Sequence, residues 1–84
     1  MVAIGKPELR STRLRWFRKF YELSLDEVAR ELGIDRSTLN RVERGLIEAT
    51  PQVKRALDEG FGEGQADSLL EKVTFSQYVA EQDD

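Results

Sequence analysis

The spacing of helix-start and helix-stop residues between Ser24 and Gly45 restricts the possible folds of this chain more than any other feature. Ser24 and Glu27 form a capping-box pattern, in which each side chain can bond the backbone amide of the other, so a helix is expected to begin there. Gly33 can adopt the left-handed conformation that ends this helix, and Asp35 can cap the next one. The spacing therefore predicts two short helices that are joined by a tight turn and cross steeply.

Apolar residues elsewhere in the first 60 positions also recur at helical spacing, not at the alternation of a strand. The helix that follows Asp35 is predicted over residues 36–44, and further helices are predicted over residues 11–21, 51–59 and 66–72. Ser11 can serve as the N-cap of the first helix, although Pro7 at a first-turn position could start it earlier. Thr50 followed by Pro51 marks the start of the fourth. Residues 73–79 fit a strand, a helical continuation or an ordered arm. The predicted fold class is all-α, a compact bundle of four to five helices followed by a C-terminal segment of uncertain structure.

The composition excludes several kinds of functional site. The 84 residues include neither cysteine nor histidine, so a zinc finger, a disulfide scaffold, a thiol nucleophile and a histidine general base are ruled out. No apolar run reaches the length of about 18 residues that a transmembrane helix needs, and the N-terminus is too short and too soon charged for a signal peptide. We therefore expect a cytoplasmic binding module that is not an enzyme and uses no cofactor or metal.

Charge is distributed unevenly along the chain, although the formal net charge is only −3. Residues 1–44 contain ten basic and seven acidic side chains, whereas residues 45–84 contain three basic and nine acidic ones. This asymmetry favours a polyanionic partner for the first half and a different role for the second. The alternative is that both halves are merely solvated, so the argument depends on whether the basic residues cluster in space.

The third predicted helix presents one polar face to solvent. The residues of this face, which lie opposite Leu39 and Val42, are Arg36, Ser37, Asn40, Arg41 and Arg44. The face has no acidic residue and combines the side chains that read base edges in a major groove, with arginine for guanine and asparagine for adenine. Together with the tight turn, it indicates a helix-turn-helix unit whose second helix recognises DNA. The alternative is an ordinary exposed face, which usually mixes glutamate and lysine.

At these positions the sequence resembles the lambda-repressor-like, or Cro/XRE, family of helix-turn-helix regulators. The resemblance covers about residues 11–60. It is carried by Leu14, Phe17, Leu23, Ser24, Val28, Ala29, Gly33, Ile34, Asp35, Ser37, Leu39, Val42, Glu43 and Gly45. It implies a compact helical bundle that binds operator DNA, usually as a dimer on a two-fold symmetric site.

The resemblance also implies roles for single residues. The residues that it places at base edges are Arg36, Ser37, Asn40 and Arg41. It places Arg44 at phosphate and Thr38 at phosphate or at a thymine methyl group. Arg18 and Glu43 match a structural pair of the family, and a partly buried pair of this kind is costly to break from one side.

Two departures from the family pattern concern the phosphate contacts. Leu25 stands where the family commonly has a glutamine that binds phosphate, so the contact must come from the start of the second helix, at Ser24, or from an arginine. The available arginines are Arg13, which is preferred, and Arg10 and Arg15. Each could equally be solvated or pair with Glu22 or Glu8. Glu48, in the loop after the third helix, occupies a position where several relatives carry a cation, which weakens the case for phosphate contacts there.

The apolar residues after position 60 exceed what one short helix can bury internally. We therefore predict a homodimer interface formed by Phe61, Leu69, Leu70, Val73, Phe75 and Tyr78. The alternative is that these residues pack back on their own domain. The predicted organisation is an N-terminal arm over residues 1–10, a helix-turn-helix DNA-binding domain over 11–60, and a dimerisation or partner-binding segment with an acidic tail over 61–84.

These features predict a sequence-specific, double-stranded DNA-binding transcriptional regulator that is associated with the nucleoid. The expected kind is a phage or bacterial Cro-like repressor that binds a palindromic operator as a dimer through the major groove. One alternative is an antitoxin whose C-terminal segment holds a toxin. Another is a protein-interaction adaptor without DNA binding, which the net acidity and Leu25 favour and the polar face of the third helix disfavours.

Overall fold

A computed structural model describes residues 9–82 of the chain. Its elements, in chain order, are β1 (Arg10–Thr12), α1 (Arg13–Phe20), α2 (Leu25–Leu32), α3 (Arg36–Glu43), α4 (Pro51–Phe61), α5 (Gln65–Leu69), β2 (Lys72–Thr74) and α6 (Phe75–Gln82). The described part is thus mostly helical, with six helices and one two-stranded sheet. None of the helices in residues 9–82 has the length and apolar character needed to cross a membrane. Most of the predicted arm and the last two residues of the acidic tail lie outside the described residues.

The helices of the central segment begin and end where their local sequence predicts. The Ser24 hydroxyl accepts from the Glu27 amide at 3.0 Å, and the Glu27 carboxylate accepts from the Ser24 amide at 2.8 Å. Gly33 ends α2 with a φ of +67°, a conformation that is strained for residues with a Cβ. Asp35 then caps α3 by accepting from the Ser37 amide at 3.1 Å. These local contacts fix the length of both helices.

The first helix begins at Arg13, and the prediction that Ser11 is its N-cap is wrong. Thr12 is the N-cap, and its hydroxyl accepts from the Arg15 amide at 3.2 Å. Ser11 instead lies buried in β1, where its backbone is paired with Val73 of β2. The apolar periodicity could not reveal this strand, because its partner lies near the other end of the chain.

The antiparallel sheet joins the two ends of the described chain. In its register Arg10 lies opposite Thr74, and Thr12 lies opposite Lys72. Within residues 73–79, which fitted several conformations, the first two belong to β2 and the rest belong to α6. The residues that follow the predicted helix-turn-helix segment are therefore hydrogen-bonded to its first residues.

The main core lies between the first four helices and α5. Leu14, Leu39 and Leu57 are completely buried in it, and Val28 and Val42 pack around them. Burying one such leucine stabilises a protein by about 1.5–3 kcal/mol. Since short isolated helices are only marginally stable in water, α3 depends on this packing for its stability and position.

A second, smaller cluster joins α1 to the C-terminal elements. Trp16, Val73 and Tyr78 are buried in it, and the Trp16 indole nitrogen donates to the Val73 carbonyl at 2.8 Å. Phe75 adds an aromatic contact, with its ring centroid 5.3 Å from that of Trp16. The C-terminal segment is therefore packed against its own chain.

Candidate nucleic-acid interface

The turn between α2 and α3 sets the direction of α3. The Ile34 amide donates to the Ala29 carbonyl at 3.0 Å, and the Ile34 side chain packs against the main core. The chain therefore enters α3 with Leu39 and Val42 turned inward and buried. The opposite face of α3 is left for solvent or a ligand.

A buried ion pair fixes α3 against α1. The two carboxylate oxygens of Glu43 accept from Nε and Nη2 of Arg18, at 2.8 Å each. Nη1 of Arg18 donates to the Leu23 carbonyl at 3.1 Å, and the Thr12 hydroxyl donates to the Glu43 carbonyl. The Glu43 side chain is completely buried, and its hydrogen bonds raise the pKa of Arg18. The structure thus brings together the two residues of the predicted structural pair.

The solvent face of α3 carries the residues predicted to contact bases. Arg36, Ser37 and Arg41 are exposed, and Asn40 is half-buried beside them. Arg44, at the C-cap of the helix, is exposed as well. Within residues 9–82, no carboxylate or carbonyl is bonded to the guanidinium of Arg41 or of Arg44. Their donors are therefore available to a ligand.

The start of α3 carries a negative charge of its own. The Asp35 carboxylate accepts from the Ser37 hydroxyl at 3.0 Å and from the amides of Ser37 and Thr38. These hydrogen bonds lower the pKa of Asp35, and the Ser37 hydroxyl has the largest effect. Because that hydroxyl donates to Asp35, Ser37 can offer a base edge only acceptor capacity, which suits the amino groups of adenine and cytosine.

Arg36 is engaged with α2. Its Nε lies 3.1 Å from Oδ1 of Asp26, and the two side chains are 66% and 62% exposed. An exposed pair of this kind contributes about 0–1 kcal/mol, so it opens readily toward a stronger partner. Local sequence patterns do not show the contact, because the two residues lie on different helices. The predicted steep crossing, which brings the starts of these helices together, is the signal that could have indicated it.

A family model described as a helix-turn-helix domain matches residues 11–69, from β1 to the end of α5. The chain belongs to this family. The match confirms the resemblance to Cro/XRE-type helix-turn-helix regulators, and it indicates that the chain is a DNA-binding regulator. No curated protein and no solved structure is significantly similar to it.

Within the helix-turn-helix domain, the residues predicted to contact phosphate differ in accessibility. Arg44 is exposed, and Thr38 is half-buried. The amide and the hydroxyl of Ser24 are both bonded to Glu27, whose pKa is lowered by these bonds. Asp26 adds a second carboxylate to this end of α2. A helix start with two anions attracts phosphate less than one with unoccupied amides.

Arg13 binds the C-terminal segment of its own chain. Its Nε and Nη2 donate to the Glu81 carboxylate at 2.8 and 2.7 Å. Its Nη1 donates to the Glu71 carboxylate and, at 3.1 Å, to the Ser68 carbonyl. The bonds to Glu81 and Glu71 raise the pKa of Arg13. Arg13 thus pairs with glutamates, but these are Glu71 and Glu81 and not the Glu22 that the sequence suggested, while Glu8, the other suggested partner, lies outside the described residues. The contact of Arg13 with phosphate stays a prediction.

Most residues predicted for a dimer interface have little free surface. Val73 and Tyr78 are only 2% and 4% exposed. The half-buried members, which pack against the main core, are Phe61, Leu69 and Leu70. Phe75 differs from the rest because 38% of it is exposed. The packing of the other five favours the alternative that they pack back on their own domain, and Phe75 retains surface for a second copy.

Replacing Asp26 with asparagine is expected to tighten DNA binding by a factor of about 2–5 at low salt, on any sequence. The substitution removes a carboxylate that is paired with Arg36, a predicted base contact, and that would repel phosphate. Titration of a labelled duplex followed by fluorescence anisotropy measures the effect. Glu31→Gln is the matched control, because it removes an exposed carboxylate elsewhere on α2. Equal affinities for the two variants would contradict this effect of Asp26.

Proposed function

We propose that the chain is a sequence-specific transcriptional repressor of the Cro-like type, which inserts α3 into the major groove of operator DNA. The observation that carries the proposal is the exposed face of α3, on which the guanidinium groups of Arg41 and Arg44 form no hydrogen bond or ion pair within residues 9–82, although the charge of Arg41 helps to lower the pKa of Asp35. An α-helix fits the major groove of B-DNA, which is about 12 Å wide. The buried side of α3, held by Leu39, Val42 and Glu43, makes this face a rigid reading surface.

The chemistry of each residue on this face supports a separate role. Arg36 and Arg41 can each bind O6 and N7 of a guanine in a bidentate manner, and Asn40 can bind an adenine. Ser37 can accept from an exocyclic amino group. Arg44, at the end of the helix, can bind phosphate, which adds affinity without sequence preference. Base reading and anchoring thus come from one helix.

A second copy of the chain completes the proposed complex. A single α3 reads only a few base pairs, whereas a two-fold dimer doubles the site and places the half-sites about 34 Å apart. Phe75, together with Phe20 and Tyr21 at the end of α1, provides exposed aromatic surface for such a dimer. The corresponding operator is an inverted repeat.

Selection of bound duplexes from a random pool at physiological salt, followed by sequencing, tests the proposal. We expect an enriched inverted repeat whose half-site centres lie about one helical turn apart. An enriched single half-site would support sequence-specific recognition by one copy of the chain and would contradict the proposed dimer. No enrichment, by protein whose circular dichroism and cooperative unfolding show that it is folded, would overturn the proposal in favour of a protein-interaction adaptor.

A further inference from the structure

Two basic residues of the sheet lie on the side that meets the C-terminal end of α3. Successive side chains of a strand point to opposite faces, so the register places Arg10, Thr12, Lys72 and Thr74 on one face of the sheet. The Thr12 hydroxyl on this face donates to the Glu43 carbonyl, in the last turn of α3. We refer to Arg10 and Lys72 as the sheet cations.

The Lys72 side chain lies across the residue that follows α3 and its cap. A Cβ built on Gly45 would stand 2.3 Å from Cε and 2.8 Å from Nζ of Lys72, so the end of the lysine side chain lies directly over the Gly45 backbone. Gly45 has a φ of +75°, which favours glycine at this position. The ammonium group thus lies beside Gly45, which directly follows Arg44, the predicted phosphate contact.

Arg10 is tied to the same strand. Its Nη2 donates to the Lys72 carbonyl at 3.0 Å, while the residue as a whole stays exposed. This bond uses one of the five donors of the guanidinium group, and the others remain available for a ligand. This bond links the Arg10 side chain to β2 without neutralising its charge.

The carboxylates of the described chain do not neutralise the sheet cations. Within residues 9–82, no carboxylate forms an ion pair with Arg10 or Lys72. Glu48 and Asp67 line the same shallow cleft as Lys72, but Asp67 is paired with Lys54 at 3.4 Å. Glu48 offsets one positive charge, so Arg10, Lys72 and Arg44 together leave an excess of positive charge beside the end of α3.

We infer that Arg10 and Lys72 bind DNA phosphates beside the C-terminal end of α3 and so extend the interface beyond the two helices of the helix-turn-helix unit. The inference rests on the proposed function, in which α3 occupies the major groove. A helix in that groove has a sugar-phosphate backbone on each side, and cations that flank the helix meet phosphate oxygens. The loop over residues 46–50 has Glu48 as its only charged residue, so the sheet supplies the basic charge on this side.

If Lys72 has only a structural role, its replacement is expected to have a different effect. A lysine at the C-terminal end of a helix interacts favourably with the helix dipole, without any DNA. In that case its replacement would lower the thermal stability and leave the salt dependence of DNA binding unchanged. If Lys72 instead contacts a phosphate, its replacement would leave the thermal stability unchanged and make the salt dependence of DNA binding weaker. Each phosphate that a protein neutralises contributes about 0.9 to the steepness of the plot of log K against log salt concentration.

The test uses the full chain carrying Lys72→Gln, Arg10→Gln or both. Binding is measured over a range of KCl concentrations on a duplex recovered by the selection and on a shuffled duplex of the same length. Each single variant is expected to reduce the slope by about 0.9 and to weaken binding to both duplexes by the same factor. Lys72→Arg, which keeps the charge, is expected to retain most of the slope. Lys19→Gln is the matched control, since it removes an exposed cation near the C-terminal end of α1.

The outcomes separate this inference from the proposed function. If the unmodified chain binds the selected duplex but Lys72→Gln keeps its slope, the inference is wrong and the proposed function stands. A lower melting temperature with an unchanged slope would assign Lys72 to the helix dipole, which also overturns the inference. If the unmodified chain binds neither duplex, the proposed function fails and the inference fails with it.

Discussion

Replacing Arg18 with methionine is expected to lower the free energy of unfolding by about 3–5 kcal/mol. The substitution keeps much of the volume of the side chain but leaves the Glu43 carboxylate completely buried and without its partner. It also removes the bond from Arg18 to the Leu23 carbonyl. Urea unfolding followed by tryptophan fluorescence measures the loss, since Trp16 is buried in the fold.

The size of this loss matters because a chain of this length is stabilised by only about 4–13 kcal/mol in total. The double variant Arg18→Met/Glu43→Leu is the control, since it replaces the pair by apolar side chains and leaves no buried charge. It is expected to recover most of the stability, because apolar replacements of a buried pair are often neutral. A loss below about 1 kcal/mol for Arg18→Met would contradict the role of the pair in holding α3.

The central helices could be predicted from the sequence because the signals that define them act locally. The Ser24–Glu27 box starts α2, Gly33 ends it and Asp35 starts α3, each through contacts within about one helical turn. The polar face of α3 then follows from the helical period alone. The family match over residues 11–69 agrees with this local reading.

The sheet could not be predicted in the same way, because its strands have only three residues each and pair across almost the whole chain. Neither strand shows an alternating pattern long enough to be distinguished from a helix end. The buried position of Ser11 and the bond from the Trp16 indole to Val73 both depend on this pairing. The uncertain conformation predicted for residues 73–79 has the same physical origin.

The net charges of residues 1–44 and 45–84 do not predict where individual charged side chains lie in the fold. Arg13 belongs to the basic half, yet Glu71 and Glu81 of the acidic half neutralise it. Lys72 belongs to the acidic half, yet the sheet places it beside the end of α3. Ion pairs such as Asp26–Arg36 likewise form between elements whose contact depends on the fold. The residues of the candidate interface on α3 could therefore be predicted from the sequence, whereas the charged residues around α3 could not.

Replacing Arg41 with alanine is expected to weaken binding to the selected operator by about 1–3 kcal/mol, or roughly 5- to 150-fold. Arg41 is exposed on α3, and no carboxylate of residues 9–82 forms an ion pair with it. Its guanidinium group can therefore donate hydrogen bonds to a guanine. The loss should be confined to the operator, since random DNA offers Arg41 no defined base edge. Anisotropy titrations on the operator and on a shuffled duplex, at one salt concentration, measure the two losses.

Arg44→Ala is the matched comparison, because it removes the same side chain from the same exposed face. If Arg44 contacts phosphate, its replacement should weaken binding to both duplexes by the same factor and reduce the salt slope by about 0.9. The two arginines thus separate base reading from anchoring on one helix. Equal losses on the operator and the shuffled duplex for Arg41→Ala would remove Arg41 from base recognition, and α3 would then contribute affinity without the specificity that a repressor needs.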